Sequence, residues 1–152
     1  MRSLLAAVGR AKAGPEKDLF EIWAGRLTPP LVLKEVEERR PLPVAERRTR
    51  EGALLLATLP PGAVVVALDE RGGQLSSEAF AERLSAWRDA GNPWAAFLIG
   101  GADGHDEAVR RRADLVLSLG AMTWPHMLVR AMLAEQLYRG QCILAGHPYH
   151  RS

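Results

Sequence analysis

Three of the chain's four histidines, His126, His147 and His150, fall in its final stretch, together with Arg139, Tyr149 and Arg151. Imidazole exchanges protons near neutral pH, guanidinium stabilises negative charge, and a phenol ring stacks on a nucleobase. At helical spacing His126 shares a face with Arg130. Glu135 shares one with Arg139, in the order that suits the helix dipole. A disposable terminus is polar and featureless. The segment Gly146-His147-Pro148-Tyr149-His150-Arg151-Ser152 is dense in hydrogen-bonding, stacking and cationic groups, which predicts a site that the terminus helps to build.

A second set of candidates offers backbone chemistry. Ligands of open α/β sheets bind at the carboxyl ends of strands. Three such ends stand out: Leu68-Asp69, the Gly-Gly-Ala-Asp-Gly run at 100–104, and residues 119–123. Glycine lets backbone amides approach a ligand and accepts positive φ. The run at 100–104 lacks both the spacing of a dinucleotide turn and the lysine of a P-loop. By itself a tight strand-to-helix turn explains it equally well. Two such loops after two buried strands predict a backbone-lined pocket for a small ligand.

The elements that must position these groups alternate along the chain. Strands are expected at residues 3–8, 31–36, 63–68, 94–99 and 114–118. Those at 63–68 and 94–99 are continuously apolar, as in a parallel sheet buried on both faces. Helices are expected after Pro15, after Pro43 (carrying Arg47, Arg48 and Arg50), after a Ser76 or Ser77 cap, around Glu107 to Arg112, and from Pro125 to Arg139. Residues 69–73 are expected to form a loop. This order predicts an α/β fold, a mainly parallel sheet flanked by helices, in one domain spanning 1–152. The last helix is apolar in nearly every direction. Such a helix is buried all round, which predicts either a partner copy or complete cover by the rest of the chain.

Composition bounds the function. The 152 residues are 47% hydrophobic and 25% charged, with a net charge of +2, ordinary for a globular protein. Arginine greatly outnumbers lysine, which suits a nucleic-acid partner and equally reflects genomic base composition. No apolar run has the length of a membrane span, and the N-terminus lacks a signal-peptide layout. The lone Cys142 excludes an internal disulfide and a Cys-rich zinc site. A cytoplasmic protein without metal, membrane or DNA partner is expected.

A series of motifs then resembles a known family: Leu-Asp-Glu-Arg-Gly at 68–72, Ser-Ser-Glu-Ala-Phe-Ala at 76–81, Ile-Gly-Gly-Ala-Asp-Gly at 99–104 and Thr-Trp-Pro-His-Met-Leu-Val-Arg at 123–130. Glu-Gln-Leu-Tyr-Arg at 135–139 and Pro-Tyr-His-Arg at 148–151 complete it. Together they resemble the ribosomal RNA large-subunit methyltransferase H (RlmH) family of the SPOUT class, over essentially the whole chain. The resemblance implies a C-terminal trefoil knot and a homodimer. It implies S-adenosyl-L-methionine as methyl donor and N3 of a pseudouridine in 23S rRNA as acceptor, within the large subunit or the 70S ribosome. The family's cofactor positions fall on Leu68, Gly101, Gly120, Ala121, Met122, Thr123, Trp124 and Pro125, with Gly100 in the same loop. The family commonly has Ser where this chain has Gly120.

The implied chemistry fits the first group of residues. His126 and His150 are candidates for polar or base roles, Arg139 and Arg151 for charge stabilisation or phosphate contact, and Tyr149 for stacking. The rival readings are a non-catalytic ribosome- or RNA-binding factor that keeps the fold, and an unrelated α/β enzyme that uses the glycine loops for a nucleotide.

Overall fold

The computed structural model describes residues 1–152. Five strands, β1 (Arg2–Val8), β2 (Val32–Val36), β3 (Val64–Gly73), β4 (Trp94–Ile99) and β5 (Leu115–Leu117), form one sheet in the order β2-β1-β4-β3-β5. Every pairing is parallel, so each connection crosses over through a helix. The helices are α1 (Pro15–Arg26), α2 (Val44–Leu56), α3 (Ser77–Asp89), α4 (Glu107–Arg112) and α5 (His126–Ala145).

Side-chain alternation along the strands divides the core in two. Leu5, Val66 and Phe97 face the layer of α1, α3 and α5, where Phe20, Phe80 and Leu133 join them. Ala6, Val65 and Leu98 face the opposite layer, against Leu55 of α2 and Val109 of α4. Strands buried on both faces account for the unbroken apolar runs at 63–68 and 94–99. No helix is long and apolar enough to cross a membrane.

Three expectations change. Residues 69–73 are extended rather than a loop. Leu68 and Gly73 both pair with Leu117, and the residues between them bulge out. The chain passes so close to β5 that a Cβ on Gly72 would lie 2.5 Å from the Val116 carbonyl oxygen. The bulge lifts Asp69, Glu70 and Arg71 clear of the sheet.

The last helix runs to Ala145, beyond its expected close near Arg139. Gly140 lies inside it because α3 packs there, with Leu84 at 3.2 Å from the position of an added Cβ. The helix stops at Gly146, whose φ of +69° is left-handed, and His147 N–H donates to the Cys142 carbonyl.

Finally, α5 lies between α1 and α3, and Ala131, Leu133, Ala134 and Leu137 are buried within this one chain. Its all-round apolarity is met by the fold itself and gives no separate argument for a partner.

Candidate active site

A cavity of about 430 Å³ opens at the carboxyl ends of β3, β4 and β5, where an open parallel sheet is expected to bind ligands. Leu68, Ile99 and Leu117 form its apolar floor. The β3 bulge, the 100–104 turn and the 119–124 loop form its rim, and His126 and Val129 of α5 close one side.

Of the nine residues expected at a cofactor, the structure brings Leu68, Gly100, Gly101, Gly120, Met122, Thr123 and Trp124 to this cavity; Ala121 and Pro125 lie outside it on the exposed part of the same loop. Gly120 has φ +122°, and open space where a Cβ would project. Its contribution is backbone alone, in a conformation that other residues avoid. Ser118 holds that backbone from both sides: its Oγ accepts from Gly120 N–H at 3.1 Å and donates to the Gly120 carbonyl at 2.9 Å. Across the mouth, Thr123 Oγ1 donates to Glu70 at 3.1 Å, joining the β3 bulge to the 119–124 loop.

Sequence marks Asp69 only as a strand end and gives His105 no signal. Asp69 is bound by Arg110 through Nε and Nη2 and by the Arg71 amide, which fixes the bulge. His105 also lines the cavity and is 4% exposed. Its Nε2 lies 3.1 Å from the Leu98 carbonyl, so that nitrogen carries the proton, and Nδ1 is buried without a partner. Burial pushes its pKa down, against the Leu98 carbonyl and the charge of Asp69. The ring occupies the space beside Gly100: a Cβ there would lie 3.2 Å from Nδ1 and 3.0 Å from the Gly104 backbone. The helix α5 begins at His126 after Pro125, with no side-chain cap and no acidic residue in its first turn. Its first amides therefore present partial positive charge beside His126.

The terminal candidates assemble, but elsewhere. Arg139 donates to Glu135 and, at 3.1 Å, to His150 Nδ1. That leaves His150 Nε2 to donate to Glu78 at 2.8 Å. The His150 hydrogen bond, helped by the backbone and Ser152, holds the Glu78 carboxyl down at about 2. Tyr149 Oη donates to Glu135 at 2.8 Å. Burial, then the bond to Glu135, pushes the phenol pKa up. Tyr149 also packs on Tyr138 and Trp23, with ring centroids at 5.1 and 5.8 Å. Arg151 is exposed. None of Arg139, Tyr149, His150 and Arg151 lines the cavity of its own chain. Arg139 lies about 20 Å along α5 from His126, at 1.5 Å per residue. Only His126 of the chemical candidates stands at the cavity.

The family described as "Predicted SPOUT methyltransferase" matches residues 1–150. The chain is 67% identical over 151 residues to "Ribosomal RNA large subunit methyltransferase H" of Paramagnetospirillum magneticum, covering 99% of both proteins. It is 64% identical to the protein of the same name from Rhodospirillum centenum, over the full length of each. A solved structure, the SpoU methyltransferase AviRb from Streptomyces viridochromogenes in complex with the cofactor AdoMet, aligns with 94% of this chain and 61% of that one, at 15% identity and a TM-score of 0.47. With its parallel sheet, its loop-rimmed cavity and its full-length likeness to these relatives, the chain belongs to the SPOUT methyltransferase family, among the ribosomal RNA large subunit methyltransferases H.

Proposed function

We propose that this chain uses S-adenosyl-L-methionine to methylate N3 of a pseudouridine in 23S rRNA, on the large subunit or the assembled ribosome, as a homodimer. The observation that carries the reading is the cavity at the ends of β3, β4 and β5. Three segments that match the family's motifs converge on it from separate parts of the chain. Its volume suits a small-molecule ligand. Leu68, Ile99 and Met122 give apolar walls for an adenine, and the glycine loops give directed amides and carbonyls. Asp69, Glu70 and Asp103 lie at the rim. Asp69 is paired with Arg71 and Arg110 and Asp103 with Arg47, whereas Glu70 is bound only by a hydroxyl. The unpaired carboxylate of Glu70 suits a cationic ligand.

S-adenosyl-L-methionine, when bound, supplies an electrophilic methyl group on cationic sulfur. The chain's task is to orient the base and manage its N3 proton. The neutral imide is a poor nucleophile, so the proton must leave. His126 stands at the cavity to accept it, and the first amides of α5 stabilise the negative charge that grows on the base. Holding the reactants in line supplies a further large share of the rate.

A second copy supplies the remainder. Clipped to its own α3 and α5, the tail presents Arg139, Tyr149 and His150 away from its own cavity, and a symmetric partner brings them to the other. The trefoil knot belongs to the same reading, supported by the likeness of the chain to the SPOUT family.

Calorimetry with S-adenosyl-L-methionine, and nucleoside mass spectrometry of rRNA from a strain lacking the protein, test the activity. Loss of no methylated pseudouridine in that strain would refute it. A mixed dimer tests the crossing. One subunit lacks residues 149–152 and the other carries Gly101→Val. A crossing tail leaves one intact composite site and about half the wild-type activity; a tail that serves its own subunit leaves none.

A further inference from the structure

Along its length α2 meets the 100–104 turn at two points and the cap of α4 at a third. Arg47 Nη1 lies 3.9 Å from Asp103 Oδ2. The two carboxyl oxygens of Glu51 lie 2.8 and 2.9 Å from where a Cβ on Gly101 would stand. A Cβ on Gly52 would lie 2.5 Å from Asp106 Oδ1, and Asp106 caps α4 through the Val109 amide at 3.0 Å. Glu51 is the unusual member. It is 7% exposed, its carboxyl group accepts no hydrogen bond, and one carboxyl oxygen is wholly buried without a partner. An unsatisfied buried carboxyl is costly, and a residue whose only service is to fill space would be apolar. Burial, then the negative charge of Asp103, pushes its pKa up, and Arg47 opposes this.

This geometry has a consequence for Gly101. That residue lines the cavity with its backbone, but its missing side chain would point at Glu51 and not at a ligand. The glycine is required from behind.

We propose that Glu51 is a positioning residue for the methyltransferase reaction: its carboxyl group, seated against Gly101, sets the height of the loop that binds the cofactor. The inference rests on the function proposed above, in which that loop holds S-adenosyl-L-methionine. Glu51 touches neither the cavity nor a reacting group, and acts only through the backbone of Gly101.

A double-mutant cycle tests it, with S-adenosyl-L-methionine affinity read by calorimetry. Gly101→Ala alone should weaken binding by about tenfold, because the added methyl collides with the carboxyl and displaces the loop. Glu51→Ala alone should weaken it by several-fold. In the Glu51→Ala background Gly101→Ala should add less than about twofold. Glu51→Gln, which keeps the shape, should bind within about twofold of wild type. At saturating cofactor kcat should be retained in Glu51→Ala, so that the loss appears in KM. An equal penalty for Gly101→Ala in both backgrounds would overturn the proposal, since the glycine would then be required by the ligand. Unchanged affinity in Glu51→Ala would overturn it too. Failure of the wild type to bind S-adenosyl-L-methionine would instead sink the proposed function. The cycle is then read from amide exchange of residues 100–104 in the same proteins, where Gly101→Ala must loosen the loop only when Glu51 is present.

Discussion

Arg130, 2% exposed, donates through Nη1 to Glu35 Oε2 at 2.6 Å, and so pins the first turns of α5 to the end of β2. Its Nη2 reaches the Gly9 carbonyl at 3.1 Å, and the Ala11 amide donates to the same Glu35 oxygen at 2.7 Å. The pair thus gathers the end of β1, the end of β2 and the helix that carries His126. Burial works to raise the Glu35 carboxyl pKa, but the hydrogen bonds from Arg130 and Ala11 and the charges of Arg130 and Arg10 hold it below its usual value. Arg130→Met should cost about 3–5 kcal/mol by leaving the carboxylate unpaired, and Glu35→Met in addition should recover most of it. Urea denaturation measures both; a single variant as stable as wild type would contradict the pairing. Because the folded pKa is depressed, the contribution is present above the usual carboxylate range and fades as pH falls through the lower, folded value.

The tail should respond to acid at one contact. The folded pKa of Glu78 is depressed from 4.5 to about 2. Its contact with His150 therefore stabilises the docked tail above about pH 4.5 and is lost as pH falls towards 2. Tyr149 lies 5.8 Å from the Trp23 ring when docked, so a change in Trp23 fluorescence is the readout for its release. Glu78→Ala, which leaves His150 Nε2 no acceptor there, should shift the signal towards the undocked value at neutral pH; a wild-type signal from that variant would count against the contact.

Leu133 is fully buried under α1, α3 and the sheet. Leu133→Asp should therefore prevent folding rather than yield a folded monomer, since an unpaired charge in the core costs several kcal/mol. The milder Leu137→Ala should lower stability by about 2–5 kcal/mol and leave the oligomeric state of the wild type unchanged. Light scattering beside denaturant titration separates the two effects.

The Thr123–Glu70 hydrogen bond spans the cavity mouth. Thr123→Val removes the donor and keeps the shape. Given about 0.5–1.5 kcal/mol for such a bond, dissociation of S-adenosyl-L-methionine should accelerate by roughly two- to tenfold. Stopped-flow release at an unchanged rate would show that the bond does not restrain the loop.

How far the sequence carries depends on whether a feature is local. The strand at 94–99 is read to the residue because both faces are buried and Asn92-Pro93 and Gly100-Gly101 bound it. The cavity loops are legible because strand ends and glycines are local signals. The pairing of Gly73 with Leu117 is not, since charged residues at 69–71 hide the extension behind a bulge. Gly140 reads as a helix stop until Leu84 is seen against it. His105 answers to a carbonyl at Leu98, and Glu51 to a glycine fifty positions on; neither spacing has a pattern of its own. The tail's residue types are legible, but their distance from the cavity depends on the path after Gly146.

The parallel order of the strands also fixes when this protein can begin to work. The floor and rim of the cavity are finished by Leu117, the 119–124 loop and the start of α5, and α5 must then lodge between α1 and α3. All of these follow the other four strands along the chain. Sheets built from such distant pairings form slowly, and a nascent chain has no cavity to fill until its C-terminal helix has cleared the exit tunnel. The four strands that precede β5 in the chain do not by themselves enclose the cavity.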